Sequence, residues 1–173
     1  ATTPIWQGTV SYNANGGTGA PGNQTKTYNV DLTLSSTQPT RSGYTFLGWA
    51  KISTSTTTIY QPGGTYTANE SVTLYAVWRL DKPSVTITSS GYTGFSVTVS
   101  SSATDVTGYT IYYRLATATL ETASTYTSET ITTNTSTTKS LPCDYGGTCY
   151  AYATVTNTNG TTSNKNMTKK NTK

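Results

Sequence analysis

Histidine is absent from this 173-residue chain, and only two cysteines, Cys143 and Cys149, are present. Without an imidazole, the Ser-His-Asp and Cys-His nucleophilic arrangements and most catalytic zinc sites are excluded. Acidic residues are few: Asp31, Glu70, Asp81, Asp105, Glu121, Glu129 and Asp144 make up the whole set. No two of them sit in a motif suggesting a general acid and base, and a glycosidase needs two carboxylates flanking the scissile bond. No Asp-x-Asp/Asn-x-Asp/Asn-Gly calcium loop occurs. No apolar run approaches the roughly 18 residues that span a bilayer. The chain is therefore expected to be no enzyme, to hold no metal or cofactor, and not to insert into a membrane.

What fills the space is hydroxyl. There are 43 Thr and 19 Ser, and aromatics reach 11% through 14 Tyr. Disorder couples low hydrophobicity with high charge and few aromatics, whereas only 10% of this chain is charged. Threonine and tyrosine suit a pleated, half-buried surface. The expectation is an all-β protein with a hydroxyl-covered exterior.

The net charge is +4, but the basic residues are scattered except for Lys165, Lys169, Lys170 and Lys173. A solvated basic tail is expected rather than a nucleic-acid surface. The Cys-x5-Cys pair around Asp144-Tyr-Gly-Gly147 suits a small disulfide-closed loop, because two thiols are too few for a metal site. A structural disulfide implies an oxidising compartment. A start at Ala1 without Met fits removal of a signal peptide, so an extracellular or cell-surface location is expected. Asn-x-Ser/Thr sequons stand at Asn23, Asn69, Asn134, Asn159 and Asn166, as candidates for glycosylation.

Alternation at period two predicts strands throughout. They are expected at Thr9–Asn13, Lys26–Leu34, Tyr44–Trp49, Thr57–Tyr60 and Thr73–Trp78, then at Ser84–Ser89, Gly94–Ser101, Gly108–Leu115, Ser128–Thr133, Thr137–Leu141, Cys149–Asn157 and Thr161–Met167. Arg79-Leu-Asp-Lys-Pro83 reads as a break between two small tandem β-domains. The glycines of Asn13-Ala-Asn-Gly-Gly17 and Gln61-Pro-Gly-Gly64 lack phosphate-loop spacing and read as turns.

Three motifs are spaced across the first half: Val10-Ser-Tyr-Asn-Ala-Asn-Gly-Gly17, Arg41-Ser-Gly-Tyr-Thr-Phe-Leu-Gly-Trp49 and Leu74-Tyr-Ala-Val-Trp78. In this respect residues 8–79 resemble the Listeria–Bacteroides repeat, the internalin B-repeat type of module. The resemblance implies a β-grasp-like sheet, a role as spacer or interaction module in surface proteins, and no catalytic residues. Tyr44, Phe46, Trp49, Leu74 and Trp78 are then its expected core, since so small a domain depends on large aromatics for burial.

Residues 83–163 are similar to a fibronectin type III or immunoglobulin-like sandwich. Gly108-Tyr-Thr-Ile-Tyr-Tyr-Arg114 resembles its third strand, and Leu141-Pro followed by Cys149-Tyr-Ala-Tyr-Ala-Thr-Val-Thr-Asn157 resembles the corner and strand after it. Phe95 stands where that family usually has Trp, and the cysteine loop is expected to brace the corner a Tyr would otherwise hold. Residues 164–173 are expected to be a basic tail.

The expected function is a non-catalytic structural surface protein, a subunit of a filament or matrix assembly. Self-association is expected through terminal strands, with residues 1–7 as a donor strand and Ile5 and Trp6 as its apolar anchors. An adhesin binding a host protein or a glycan, with Tyr112, Tyr113, Tyr150 and Tyr152 as stacking candidates, is the first alternative. An accessory module of a polysaccharide-active protein is the second.

Overall fold

The computed structural model describes residues 2–89, 94–116, 126–142 and 148–171. The chain is all-β, with no helix among the described residues. It divides into two compact units, Ala1–Arg79 and Leu80–Lys173.

Unit 1 contains β1 (Gln7–Asn13), β2 (Gln24–Thr27), β3 (Leu32–Thr33), β4 (Tyr44–Ala50), β5 (Thr65–Tyr66) and β6 (Val72–Leu80). Its main sheet has the order β2-β1-β6-β4, and β3 and β5 form a second, two-stranded sheet. The central pair β1 and β6 is parallel, with Tyr12 opposite Leu74. Parallel neighbours require a long crossover; here it runs through short strands and turns. The expected strand Lys26–Leu34 is broken in two. Asn29 adopts a left-handed φ of 54°, and Val30 N donates to Thr27 O to close the turn. Thr57–Tyr60 contributes only a bridge between Tyr60 and Trp49. β6 continues through Arg79, where a break was expected, and ends on Leu80.

The core of unit 1 is aromatic. Trp49, Tyr66, Val10, Leu34, Leu74 and Ala76 are buried, with Phe46 and Trp78 packed against them. Phe46 meets Trp49 edge to face at 5.0 Å, and Trp78 at 5.6 Å. Strict alternation along β4 would send Phe46 and Trp49 to opposite faces. Gly48, at φ 140°, breaks the alternation, and Ile59 N and Tyr60 N both donate to Trp49 O. Two residues, Ile59 and Tyr60, against Trp49 form a bulge in the facing segment, and the break in alternation at Gly48 brings Trp49 back to the core. Tyr44 is half-buried at the start of β4, and the Arg41 guanidinium lies 3.8 Å over its ring. The turn in which Tyr44 N donates to Arg41 O folds that arginine over the ring.

Unit 2 contains β7 (Ser84–Ser89), β8 (Gly94–Ser100), β9 (Val106–Ala116), β10 (Thr127–Thr132), β11 (Thr137–Pro142), β12 (Thr148–Asn157) and β13 (Asn166–Asn171). Two sheets have the orders β10-β9-β12-β13 and β11-β8-β7, with antiparallel pairing throughout. β12 and β13 lie against β7. Phe95, Val97 and Val99 of β8 are buried, as are Tyr109 and Ile111 of β9 and Ala151, Ala153 and Val155 of β12. The expected tail instead places Asn166–Asn171 in the sheet as β13, because β12 offers a second edge that this segment pairs along its length. The expected start of that strand at Thr161 is only a bridge from Thr162 to Thr156.

Exterior threonines pair across strands. Thr98 and Thr138 face each other in register with hydroxyls 2.8 Å apart, and Thr110 and Thr130 at 3.3 Å. Such cross-strand pairs support a sheet face without apolar exposure, which is the use this chain makes of its hydroxyl content.

Candidate functional site

Two of the three motifs of unit 1, Val10–Gly17 and Leu74–Trp78, meet in one hydrogen-bonded hub. Asn13 Oδ1 accepts from Asn15 N at 2.8 Å, an Asx turn. Asn15, at φ 48°, then directs its amide to Ser53 O and Ala76 O. Trp78 Nε1 donates to Ala14 O and Asn15 O, both at 3.0 Å. A Cβ on Gly17 would stand 2.5 Å from the Trp78 ring and 2.6 Å from Thr40 O, so glycine is required there. The hub is structural: its polar groups are spent on one another.

The expected donor segment is partly docked at home. Trp6 O accepts from Tyr28 N at 3.1 Å, and the Trp6 ring lies beside Gly8. Ile5 stays 69% exposed and Trp6 41%, next to exposed Tyr28 and Val30. Four exposed large apolar side chains thus stand on the segments that precede β1 and follow edge strand β2.

That edge carries a feature that no local pattern announced. The Lys26 side chain is fully buried, and its Nζ donates to Thr27 O at 2.7 Å and Asn69 Oδ1 at 3.1 Å. Asn29 N also donates to Asn69 Oδ1, and Asn69 Nδ2 donates to Asn29 Oδ1 at 2.8 Å. A charge turned inward on an edge strand opposes pairing with a further strand.

In unit 2 the tyrosines of β9 and β12 divide between faces as period two requires. Tyr112 and Tyr152, directly opposite in register, stack at 4.5 Å, and Lys165 lies 5.0 Å over the Tyr152 ring. Tyr126 meets Tyr152 edge to face at 4.8 Å. Arg114 reaches the rings of Tyr126 and Tyr150 at 5.8 and 5.5 Å. Tyr152 is only 2% exposed, so this slab is filled by its own rings and cations. Tyr113 does not join it.

Glu70 forms an ion pair with Lys51 at 2.5 Å, and Glu129 with Lys139 at 2.6 Å. Hydrogen bonding to Lys51 pulls the Glu70 carboxyl below its usual range and raises the Lys51 amine. The second pair ties the edge of β10 to β11. Glu121 and Asp144 lie outside the described residues. Among the described residues no group of three His, Cys, Asp or Glu is placed to hold a metal. Cys149 is buried on β12 and is not a free thiol; Cys143 lies outside the described residues.

The sequons differ in setting. Asn134 and Asn159 are exposed in turns, and Asn23 is exposed just before β2. Asn69 is bonded as above, and Asn166 Nδ2 donates to Pro83 O at 2.7 Å.

A family model described as the Listeria-Bacteroides repeat domain matches residues 9–77, which is nearly all of unit 1. Domains of this family are typical of extracellular and surface proteins. None of the curated proteins compared with the chain matches it.

Proposed function

We propose that the chain is a non-catalytic extracellular module that serves as a structural element of a surface assembly, with a fibronectin III-like second unit. The match of residues 9–77 to a repeat domain of surface proteins carries this reading. The strand order of unit 2 supports the second part: β7, β8 and β11 take the places of strands A, B and E, and β10, β9, β12 and β13 those of C′, C, F and G. Phe95, buried on β8, fills the position of the expected tryptophan. Cys149 is read as pairing with Cys143, which suits an oxidising exterior.

Self-association is read onto unit 1. Ile5, Trp6, Tyr28 and Val30 are exposed large apolar side chains on the two segments that the Tyr28 N–Trp6 O bond joins, and exposed apolar surface marks interaction sites. The edges of unit 2 are less available, since β13 lies on β7 and the Lys139–Glu129 pair joins β10 to β11. Sugar stacking on Tyr112 and Tyr152 is disfavoured because the two rings already cover each other.

The test is sedimentation and electron microscopy of the full chain beside an Ile5→Ser/Trp6→Ser variant. Concentration-dependent assembly of the native chain, lost in the variant with the melting profile kept, supports the reading. A native chain that stays monomeric at high concentration, or a variant that assembles equally, refutes self-association through this edge.

A further inference from the structure

Five Asn-x-Ser/Thr tripeptides have equal standing as text, and the fold makes them unequal. Transfer of an N-linked glycan forms a bond from asparagine Nδ2 to the anomeric carbon of a sugar. The bond from that carbon to a lipid diphosphate breaks, the diphosphate leaves with the electron pair, and Nδ2 loses a proton to the transferase. The acceptor therefore has to present an unengaged amide, and the tripeptide has to leave its own backbone pairing to enter the enzyme.

Asn69 fails on the first requirement. Its Nδ2 donates to Asn29 Oδ1 and its Oδ1 accepts from Lys26 Nζ and Asn29 N. The hydroxyl of its sequon, Ser71 Oγ, accepts from Thr9 N at 3.0 Å. Asn166 fails on both: its Nδ2 is bonded to Pro83 O, and Asn166, Met167 and Thr168 all lie in β13, paired with β12. Asn23 is exposed, but the next two residues of its sequon, Gln24 and Thr25, are paired with β1. The Gln24 side chain is further tied to Tyr12 and Thr33.

Asn134 and Asn159 present an unengaged amide, and their tripeptides are free of strand pairing: the backbone bonds of residues 159–161 run only to Asn157, within the same turn. Residues 134–136 and 159–161 lie outside every strand, and both asparagines are exposed. The second turn is shaped without using the acceptor amide: Asn157 Oδ1 accepts from Asn159 N and Thr161 N, and Gly160 takes a φ of 74° with open space around it. The two turns are also neighbours. Thr133 N donates to Thr107 O and Thr158 N to Asp105 O, which anchors both on the segment entering β9.

We propose that the folded chain accepts N-linked glycan at Asn134 and Asn159 alone, so that two glycans stand side by side at one end of unit 2. The proposal extends the extracellular reading above but is tested independently of it. The purified, folded full chain is incubated with an oligosaccharyltransferase that requires only Asn-x-Ser/Thr and with a lipid-diphosphate oligosaccharide as donor. Five peptides carrying the same sequons are run in parallel, and occupancy is mapped by mass spectrometry. The expected result is up to two added glycans, both lost in an Asn134→Gln/Asn159→Gln variant, with at least a tenfold lower occupancy at the other three sites although their peptides are accepted. Glycan on folded-chain Asn69 or Asn166 at a level comparable to Asn134, or Asn134 and Asn159 left bare while their peptides are modified, overturns it. Neither outcome bears on whether the protein is a surface module.

Discussion

Replacing Gly48 with alanine tests the account of how the aromatic core of unit 1 closes. Two costs add. At φ 140° a side chain is strained, at about 1–3 kcal/mol for a sparsely populated backbone region. The new Cβ would also stand 2.8 Å from Tyr60 O, 2.8 Å from Gln61 Nε2 and 2.9 Å from Thr58 Cγ2. One of these is backbone and cannot swing away, so the Tyr60 segment has to draw back from Gly48, at roughly 1–3 kcal/mol for an overpacked site. The sum, about 2–6 kcal/mol, is set against roughly 4–12 kcal/mol for a domain the size of Ala1–Arg79. At about 4–8 °C per kcal/mol for such a domain, a fall in Tm of at least roughly 8 °C follows. Tryptophan fluorescence is a selective probe, because Trp6, Trp49 and Trp78 all belong to unit 1. The fluorescence transition is expected to drop in Gly48→Ala while a later far-UV transition from unit 2 stays in place. Gly63→Ala is the control: φ is 72° there but nothing lies within 4 Å of the added Cβ, so only the backbone cost of about 1–2 kcal/mol applies. A Gly48→Ala melt within a few degrees of the native one, or a loss no larger than that of Gly63→Ala, would refute the reasoning.

Burial raises the Tyr12, Tyr66 and Tyr109 phenols above 10.0. A raised folded value means their contribution is complete below pH 10 and is lost as pH climbs through the folded values. Ultraviolet titration should therefore show a late-ionising fraction that vanishes in denaturant; identical native and denatured curves would contradict it. Lys26→Met keeps the length of a buried side chain while removing an ammonium that rests on neutral oxygens, and it should cost less than about 1.5 kcal/mol, whereas Lys26→Ala should cost about 2–5 kcal/mol through its cavity. Denaturant melts followed by tryptophan fluorescence compare the two, and equal losses would show that the charge rather than the volume is what matters. Alkylation of the denatured, unreduced chain should modify neither cysteine, and two should react after reduction; two adducts without reductant would remove the disulfide. Lowering pH through the depressed Glu70 value should release the Lys51 pair, so its stabilisation is present above the ordinary carboxylate range and fades below it. A Glu70→Gln variant should flatten that acid limb of the stability curve, and an unchanged limb would argue against it.

The strands were legible because period two is a backbone property: residues that alternate in sequence alternate between faces wherever the strand stays regular. The pattern misleads where the strand does not. The Tyr44–Trp49 run reads as one continuous alternating face, but a positive φ at Gly48 inverts the facing between Phe46 and Trp49, and so both reach the core. Asn29 splits an apparently single strand for the same reason, a left-handed residue that alternation does not encode. Charge was the other source of error. The lysines near the end of the chain read as a loose tail, yet Lys169 and Lys170 sit on a strand paired with β12, and Lys26, within an expected strand, is buried against carbonyl oxygens. A lysine in a strand is placed by its register, and register depends on partners distant in the chain.

The same distinction governs what could be inferred about function. Sequons, sugar-stacking tyrosines and a donor strand are short patterns, and each depends on whether its groups are already in use. Tyr112 and Tyr152 look like a platform until their stacking is seen, and Asn69 looks like an acceptor until its amide is found bonded to Asn29. Ile5 and Trp6 differ from these: the backbone of Trp6 is engaged by Tyr28, but the apolar side chains remain outside, beside an edge strand whose inward lysine opposes simple strand addition. If unit 1 associates there, side-chain burial rather than an extended ladder of backbone hydrogen bonds has to supply the attraction. Assembly should then weaken on cooling, as apolar contacts do, whereas a ladder-driven assembly would not. Comparing sedimentation at 4 °C and 30 °C separates the two, and assembly that tightens in the cold would show that the exposed apolar edge is not the driving surface.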